Sequence, residues 1–238
     1  MKNKSNVFIF AGLLLIAAAL LLTLRNYYES AKAEDASRDA VSRLEALMSD
    51  AGSSNVGADA DTSDTTDTAD ENGAGADQTD KSPDENPSVT PPDEAEVPDY
   101  VLNPEMEMPT QAIDGVSYIG IINFPTLDLK LPVIDVWSYT NLKIAPCRYS
   151  GSAYSGNFVV CGHNYTSHFG RLGRLRIGDE IIFTDVDGNE FRYEVAELDT
   201  VKPTAVDSVK NDDWDLTLFT CTMSGKSRMT VRCVKTSG

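Results

Sequence analysis

The hydropathy pattern divides the chain into four stretches before any motif is considered. From Val7 to Leu24, eighteen residues run without a charge, with small polar character only at Gly12 and Thr23. A helix over that run rises about 27 Å, close to the roughly 30 Å hydrocarbon core of a bilayer. From Ala33 to Met48 the pattern turns amphipathic, with Ala40, Leu44, Leu47 and Met48 at i, i+4, i+7 and i+8. This predicts a helix over 25–48 that continues the first as a stalk leaving the membrane. Between 49 and 99 large apolar residues nearly vanish. From 100 onward short apolar runs return, and their period is two.

That last stretch predicts strands. Ser117 to Phe124 and Asn157 to Cys161 read as buried strands, while Leu127, Leu129 and Leu131 alternate with Asp128 and Lys130 as a half-buried one. Glu180 to Thr184 and Glu190 to Leu198 flank Asp187-Gly188, a hairpin-turn signal. Phe191, Tyr193 and Val195 alternate there with Glu190, Arg192 and Glu194. Leu216 to Cys221 and Arg228 to Lys235 complete the set. Many short strands, with helix confined to short pieces near 137–144 and 167–175, argue an all-β barrel or sandwich over 100–238.

Charge refines this picture. The 238 residues carry 37 acids and 20 bases, net −17. Fifteen of the acids and a single base, Lys81, fall in 50–99, so the acidity belongs mainly to that segment. Rich in Asp, Thr, Ala, Gly, Ser and Pro, it cannot bury enough surface to offset its ordering entropy and is expected to be disordered. Its expected role is reach, carrying the folded domain away from the bilayer. No basic stripe or aromatic–basic interleaving points to nucleic acid.

Lys2 and Lys4 precede the apolar run, which weakly favours an N-terminus inside and the bulk of the chain outside. Tyr27 and Tyr28 would sit in the interfacial aromatic belt. A cleaved signal peptide with Ala31-Lys32-Ala33 as its processing site competes with this. The run is longer than the usual 7–15 residues, however, and Arg25 to Lys32 is charged and aromatic. The expected organisation is a cytoplasmic tail at 1–6, an anchor at 7–24, a juxtamembrane helix at 25–48, an acidic linker at 49–99 and an extracellular domain at 100–238. The four cysteines, Cys147, Cys161, Cys221 and Cys233, are too few for a disulfide scaffold and leave one bridge open.

Thr217-Leu218-Phe219-Thr220-Cys221 is an apolar strand that delivers a thiol to its end. By strand alternation Thr217, Phe219 and Cys221 share one side, as do Arg228, Thr230 and Arg232 on the next strand. A tight Thr222–Ser227 connection containing Gly225 would place Cys221 and Arg228 near the same end of an antiparallel pair. Gly162-His163-Asn164 closes another buried strand, and only His163 needs long-range closure. Cys221 would attack a carbonyl as nucleophile. His163 would protonate the departing amine and deprotonate the incoming one. Arg228 would hydrogen-bond the carbonyl and the developing oxyanion, with help from the backbone N–H of Thr222. Each residue alone has a plainer reading, since a cysteine in an apolar strand is more often core. Cys147, Cys161 and Cys233 are read as core or bridge residues.

Thr217 to Cys221 resembles the T-L-x-T-C signature of sortases, Gly162-His163 their G-H motif, and Arg228-Met229-Thr230-Val231-Arg232 their terminal R-x-x-V-R strand. Gly120 to Val133 resembles the family's opening strands, and the likeness extends over about 115–235. It implies an eight-stranded β-barrel held outside a Gram-positive membrane by an N-terminal anchor. It further implies cleavage of an LPXTG-like sorting signal, a thioester on the cysteine, and transfer of the acyl group to an amine of a peptidoglycan precursor or a pilin. Carried over, Cys221 is the nucleophile, His163 the acid/base, Arg228 the substrate-binding arginine and Thr220 a residue shaping the groove. Arg232 is the lesser candidate for the arginine. No cofactor or metal is implied.

Two other functions fit parts of the chain. Cys161, His163 and His168 lie within eight residues and could, with Cys147 or a distant carboxylate, hold zinc. A non-catalytic adhesion module on a stalk fits the linker and ignores the cysteine motif. Asp185, Asp187 and Glu190 raise the question of calcium and read equally well as hairpin surface.

Overall fold

The apolar segment and everything up to Ser54 form one helix, α1 (Lys2–Ser54). The fold comes from a computed structural model that describes residues 2–54, 97–202, 204, 214–221 and 225–236, the side chains of 2–7, 51–54 and 221 excepted. Most of the acidic linker, 55–96, and residue Thr222 therefore lie outside the described residues. After a short turn of helix, α2 (Asp99–Leu102), nine strands follow. They are β1 (Gln111–Ile113), β2 (Val116–Phe124), β3 (Leu129–Ile134), β4 (Cys147–Ser152) and β5 (Gly156–Gly162). Then come β6 (Glu180–Asp185), β7 (Glu190–Val201), β8 (Leu216–Cys221) and β9 (Arg228–Lys235).

Eight of these close a barrel in the order β2-β3-β4-β5-β8-β9-β7-β6, sealed by β6 pairing back onto β2; β1 is a short hairpin partner of β2. The β3–β4 and β5–β8 pairings are parallel and the rest antiparallel. Closure removes the open edges that a flat sheet would expose. Where β2 carries both β3 and β6, residue 120 has φ +154°, and a Cβ there would run into the Thr184 carbonyl, which accounts for Gly120.

Strand alternation produces two apolar layers. Ile122, Phe124, Leu131, Val133, Phe158, Val160, Leu216, Leu218 and Val231 belong to the main cluster inside the barrel. Tyr118, Ile121, Ile134, Cys147, Val159, Cys161 and Phe219 form a second cluster, which takes in Ala40, Val41 and Leu44 of α1. The amphipathic stretch is therefore a docked element of the domain, where the sequence pattern predicts a free stalk. Its buried residues are Ala33, Ser37, Ala40, Val41 and Leu44, while Leu47 stays exposed. Ion pairs from Arg43 to Asp114 (2.6 Å) and from Lys130 to Glu45 (2.6 Å) flank the seam.

This docking explains two further differences. The strand expected over Leu127–Leu131 to be half-buried begins only at Leu129. Leu127 belongs to a 3-10 turn, and Asp128 sits in the left-handed region at φ 47°. Apart from Lys130 the strand is buried on both faces, because α1 covers its outer side. The apolar segment is likewise joined to the barrel through the docked helix, and not only through the acidic linker. The linker's flanks both lie on the domain, through Leu44 on one side and Tyr100, stacked 4.8 Å from Tyr154, on the other.

The short helical pieces expected near 137–144 and 167–175 are 3-10 turns at Asn141–Lys143 and Phe169–Arg174. The Asp187-Gly188 hairpin is present, with Gly188 at φ 88°. The buried Asp185 carboxylate is occupied in holding it. It accepts hydrogen bonds from the backbone N–H groups of Asp187 and Asn189 (3.0 and 2.9 Å), the Asn189 amide (2.9 Å) and the Tyr154 hydroxyl (2.7 Å).

Candidate active site

The site is assembled by register. In the parallel pair β5–β8, Cys161 lies opposite Phe219 and Gly162 opposite Thr220, so the chain leaves β5 at His163 level with position 221. In the antiparallel pair β8–β9, Cys221 and Arg228 are direct partners. Histidine, cysteine and arginine thus occupy neighbouring positions at one end of three adjacent strands, spaced by about 4.8 Å per strand. By alternation all three positions share the outer face with Phe219 and Thr230. The Cys221 side chain and Thr222 lie outside the described residues.

Gly162 explains why the histidine emerges where it does. It faces inward, and a Cβ there would come within 2.7 Å of the Phe169 ring, part of the 3-10 turn that plugs this end of the barrel. The strand can pass over the plug only with glycine, and the next residue, His163, is delivered outward. Thr220, one before the cysteine, faces the opposite way from position 221. It is only 4% exposed, and its Oγ1 has no hydrogen-bond partner among the described residues. Its route to the groove is therefore through packing beneath it.

His163 is half-buried and its ring packs tilted against Tyr165, ring centres 4.8 Å apart. Burial pushes its pKa below the ordinary value, the charge of Lys143 adds to this, and Glu29 of α1 opposes it. The imidazole is therefore predominantly neutral at pH 7 and ready to accept a proton. Arg228 is half-buried, and its guanidinium donates to the Ser227 carbonyl at 3.3 Å. Arg232 is engaged elsewhere: it is buried, paired with Glu197, and opposite Thr217 in the register, four residues from Cys221.

Cys147, Cys161 and Cys233 are buried, and no disulfide joins them. Burial pushes the Cys147 thiol up to about 12 and the Cys233 thiol higher, which denies both a thiolate. Cys161 lies opposite Cys147 in the β4–β5 ladder, its Sγ 3.6 Å from the Cys147 carbonyl. The zinc grouping weighed above does not converge. His168 is buried beneath α1, with Nε2 3.2 Å from the Ser37 Oγ, and among the described residues no three His, Cys, Asp or Glu side chains come together.

Ser37, Lys143 and Glu29 are neighbours that sequence reasoning missed, and it weighed His168 only as a zinc ligand. Burial and the charge of His163 depress the His168 pKa to about 4, against the carbonyls of Ala33 and Ile144. Ser37 and His168 stand 131 positions apart, and no local pattern links them.

A closed eight-stranded barrel with cysteine, histidine and arginine positions aligned across three strands at one end has the architecture of a sortase. Residues 122–236 match the family model for the sortase domain. Over 121 residues the chain is 30% identical to a sortase A of Bacillus anthracis, covering 48% of this chain. It spans 57% of that relative's length. Among solved structures, it is similar to sortase A from Corynebacterium diphtheriae, with 26% identity, 59% of this chain and 68% of that one covered, and a TM-score of 0.47. For sortase C from Clostridium perfringens SM101 the values are 25%, 51%, 71% and 0.43.

Proposed function

We propose that this chain is a membrane-anchored cysteine transpeptidase that cleaves an LPXTG-like sorting signal. In the proposed reaction His163 takes the thiol proton as the Cys221 sulfur attacks the scissile carbonyl. The tetrahedral oxyanion is held by Arg228 and the Thr222 N–H. Collapse breaks the C–N bond, the imidazolium gives its proton to the departing amine, and a thioester on Cys221 remains. An amine of a peptidoglycan precursor or a pilin lysine then loses a proton to His163, attacks the thioester and releases the thiol. Thr220 supports the groove from below.

The observation that carries this reading is the direct cross-strand pairing of Cys221 with Arg228, one strand from His163. The protein would be anchored through 7–24, its catalytic domain outside the cytoplasm. The described part of α1 contains the one span, among the described residues, long and apolar enough to cross a membrane, and Phe8 to Leu24 is largely exposed.

The test is to incubate the full chain in detergent micelles with sorting-signal peptides and an amine acceptor. Turnover should vanish in Cys221→Ala and survive in Cys161→Ala. Cleavage that persists without Cys221 would refute the assignment.

A further inference from the structure

The order of contacts along α1 says where the site stands relative to the membrane. The Ser30 carbonyl accepts a hydrogen bond from Ser167 at 3.3 Å, in the loop that follows His163. Ser37 donates to the Ile144 carbonyl at 2.9 Å and lies 3.2 Å from His168. Arg43 pairs with Asp114 in the β1–β2 turn, and Glu45 with Lys130. Read outward from the apolar segment, the barrel is therefore met first at its 163–167 loop, from Ser30, and at the β1–β2 turn and β3 only from Arg43 and Glu45. The candidate catalytic end is the membrane-proximal end.

The height follows from helix geometry. Ser30 lies six positions beyond Leu24, the end of the apolar run. At 1.5 Å per residue that is about 9 Å. A headgroup layer adds roughly 5–8 Å to each side of the hydrocarbon core. The His163 loop thus stands level with the outer headgroups. Nothing in α1 relaxes this spacing. Residues 25–48 hold neither glycine nor proline, and i,i+4 pairs Arg25–Glu29, Glu34–Arg38 and Asp39–Arg43 run along the exposed side. The buried Ala33, Ser37, Ala40, Val41 and Leu44 lock the helix's rotation against the barrel.

We infer that α1 is a strut of fixed length that holds the catalytic end of the barrel at the headgroup surface. The site then acts on polypeptides whose scissile bond lies within about two helical turns of their own membrane anchor. This rests on the transpeptidase reading for the substrate and on the anchor reading for the bilayer. It contrasts with a barrel hung on a chain of some forty residues, whose root-mean-square reach would be about 35 Å.

The experiment inserts seven helix-forming residues after Arg25 in the full chain, which raises the barrel about 10 Å and turns it by only about 20°. Wild type and insertion are compared in vesicles on donors carrying their own transmembrane helix, with the sorting signal either four or fourteen residues from the bilayer, and on a soluble peptide. The insertion should lower turnover of the short-spacer donor at least tenfold, restore it with the long spacer, and leave the soluble peptide unaffected. Equal turnover of the short-spacer donor by both forms would overturn the strut. A second readout does not need catalysis. A fluorophore on Thr166→Cys, in a Cys221→Ala chain, should be quenched by a nitroxide on lipid headgroups and released by the insertion. Absence of quenching in both forms would overturn the inference, whereas quenching without turnover of any donor would instead overturn the transpeptidase reading.

Discussion

His168 makes the docked helix sensitive to acid. It is fully buried beneath α1, its Nε2 beside the Ser37 hydroxyl and its Nδ1 without a hydrogen-bond partner among the described residues. Burial and the nearby His163 lower its pKa from 6.5 to about 4. Because the folded value lies below the unfolded one, folding favours the neutral ring. No penalty exists above pH 6.5. As pH falls below that value the unfolded chain binds a proton that the folded chain refuses, and stability declines until the folded pKa is reached. The linkage relation gives a loss of about 2 kcal/mol at pH 5 and about 3 kcal/mol at pH 4. The assay is denaturant unfolding of the full chain in micelles between pH 7 and 4, for wild type and His168→Phe. Carboxylates titrate in both proteins, so the difference isolates the imidazole, and the variant should lose less stability on acidification by these amounts. Parallel pH profiles would refute the account of a neutral histidine sealed by α1.

Other consequences concern the same seam and the site. Leu44 has no exposed surface, so Leu44→Ala should cost about 2–5 kcal/mol in the same unfolding assay; a loss below about 0.5 kcal/mol would mean that the helix is not docked. Gly162→Ala forces a methyl group against Phe169 and should destabilise by about 1–3 kcal/mol while lowering turnover, with Phe169→Leu restoring part of both. Arg228→Gln should reduce kcat by about 10²–10³-fold with little change in stability. Arg232→Gln, which breaks the pair with Glu197, should do the reverse.

Legibility followed the range of the interactions. Strands with clear alternation, such as Phe191, Tyr193 and Val195 in β7, could be read directly because their pattern reports a local face. β4 could not. Cys147–Ser152 has no apolar alternation, is bulged twice against β5, and has Gly151 at φ 70°. It is a strand because its neighbours make it one. The three motif residues were legible because each ends or begins a strand, and their convergence required the parallel β5–β8 pairing that no local signal encodes. The amphipathic stretch after the apolar run was readable as a helix, but what its apolar face covers depends on β2 and β3, some eighty residues away in sequence. The same distance hid Ser37 from His168.

The central claim is that Cys221 carries the acyl group while His163 and Arg228 serve it. The most direct measurement is to trap the reaction of the full chain with a sorting-signal peptide at short times, without amine acceptor, and locate the adduct by mass spectrometry of proteolytic fragments. The account predicts a thioester on the peptide containing Cys221 that accumulates in wild type and disappears on adding the amine. An adduct on Cys147, Cys161 or Cys233, or turnover with no covalent intermediate at all, would contradict it.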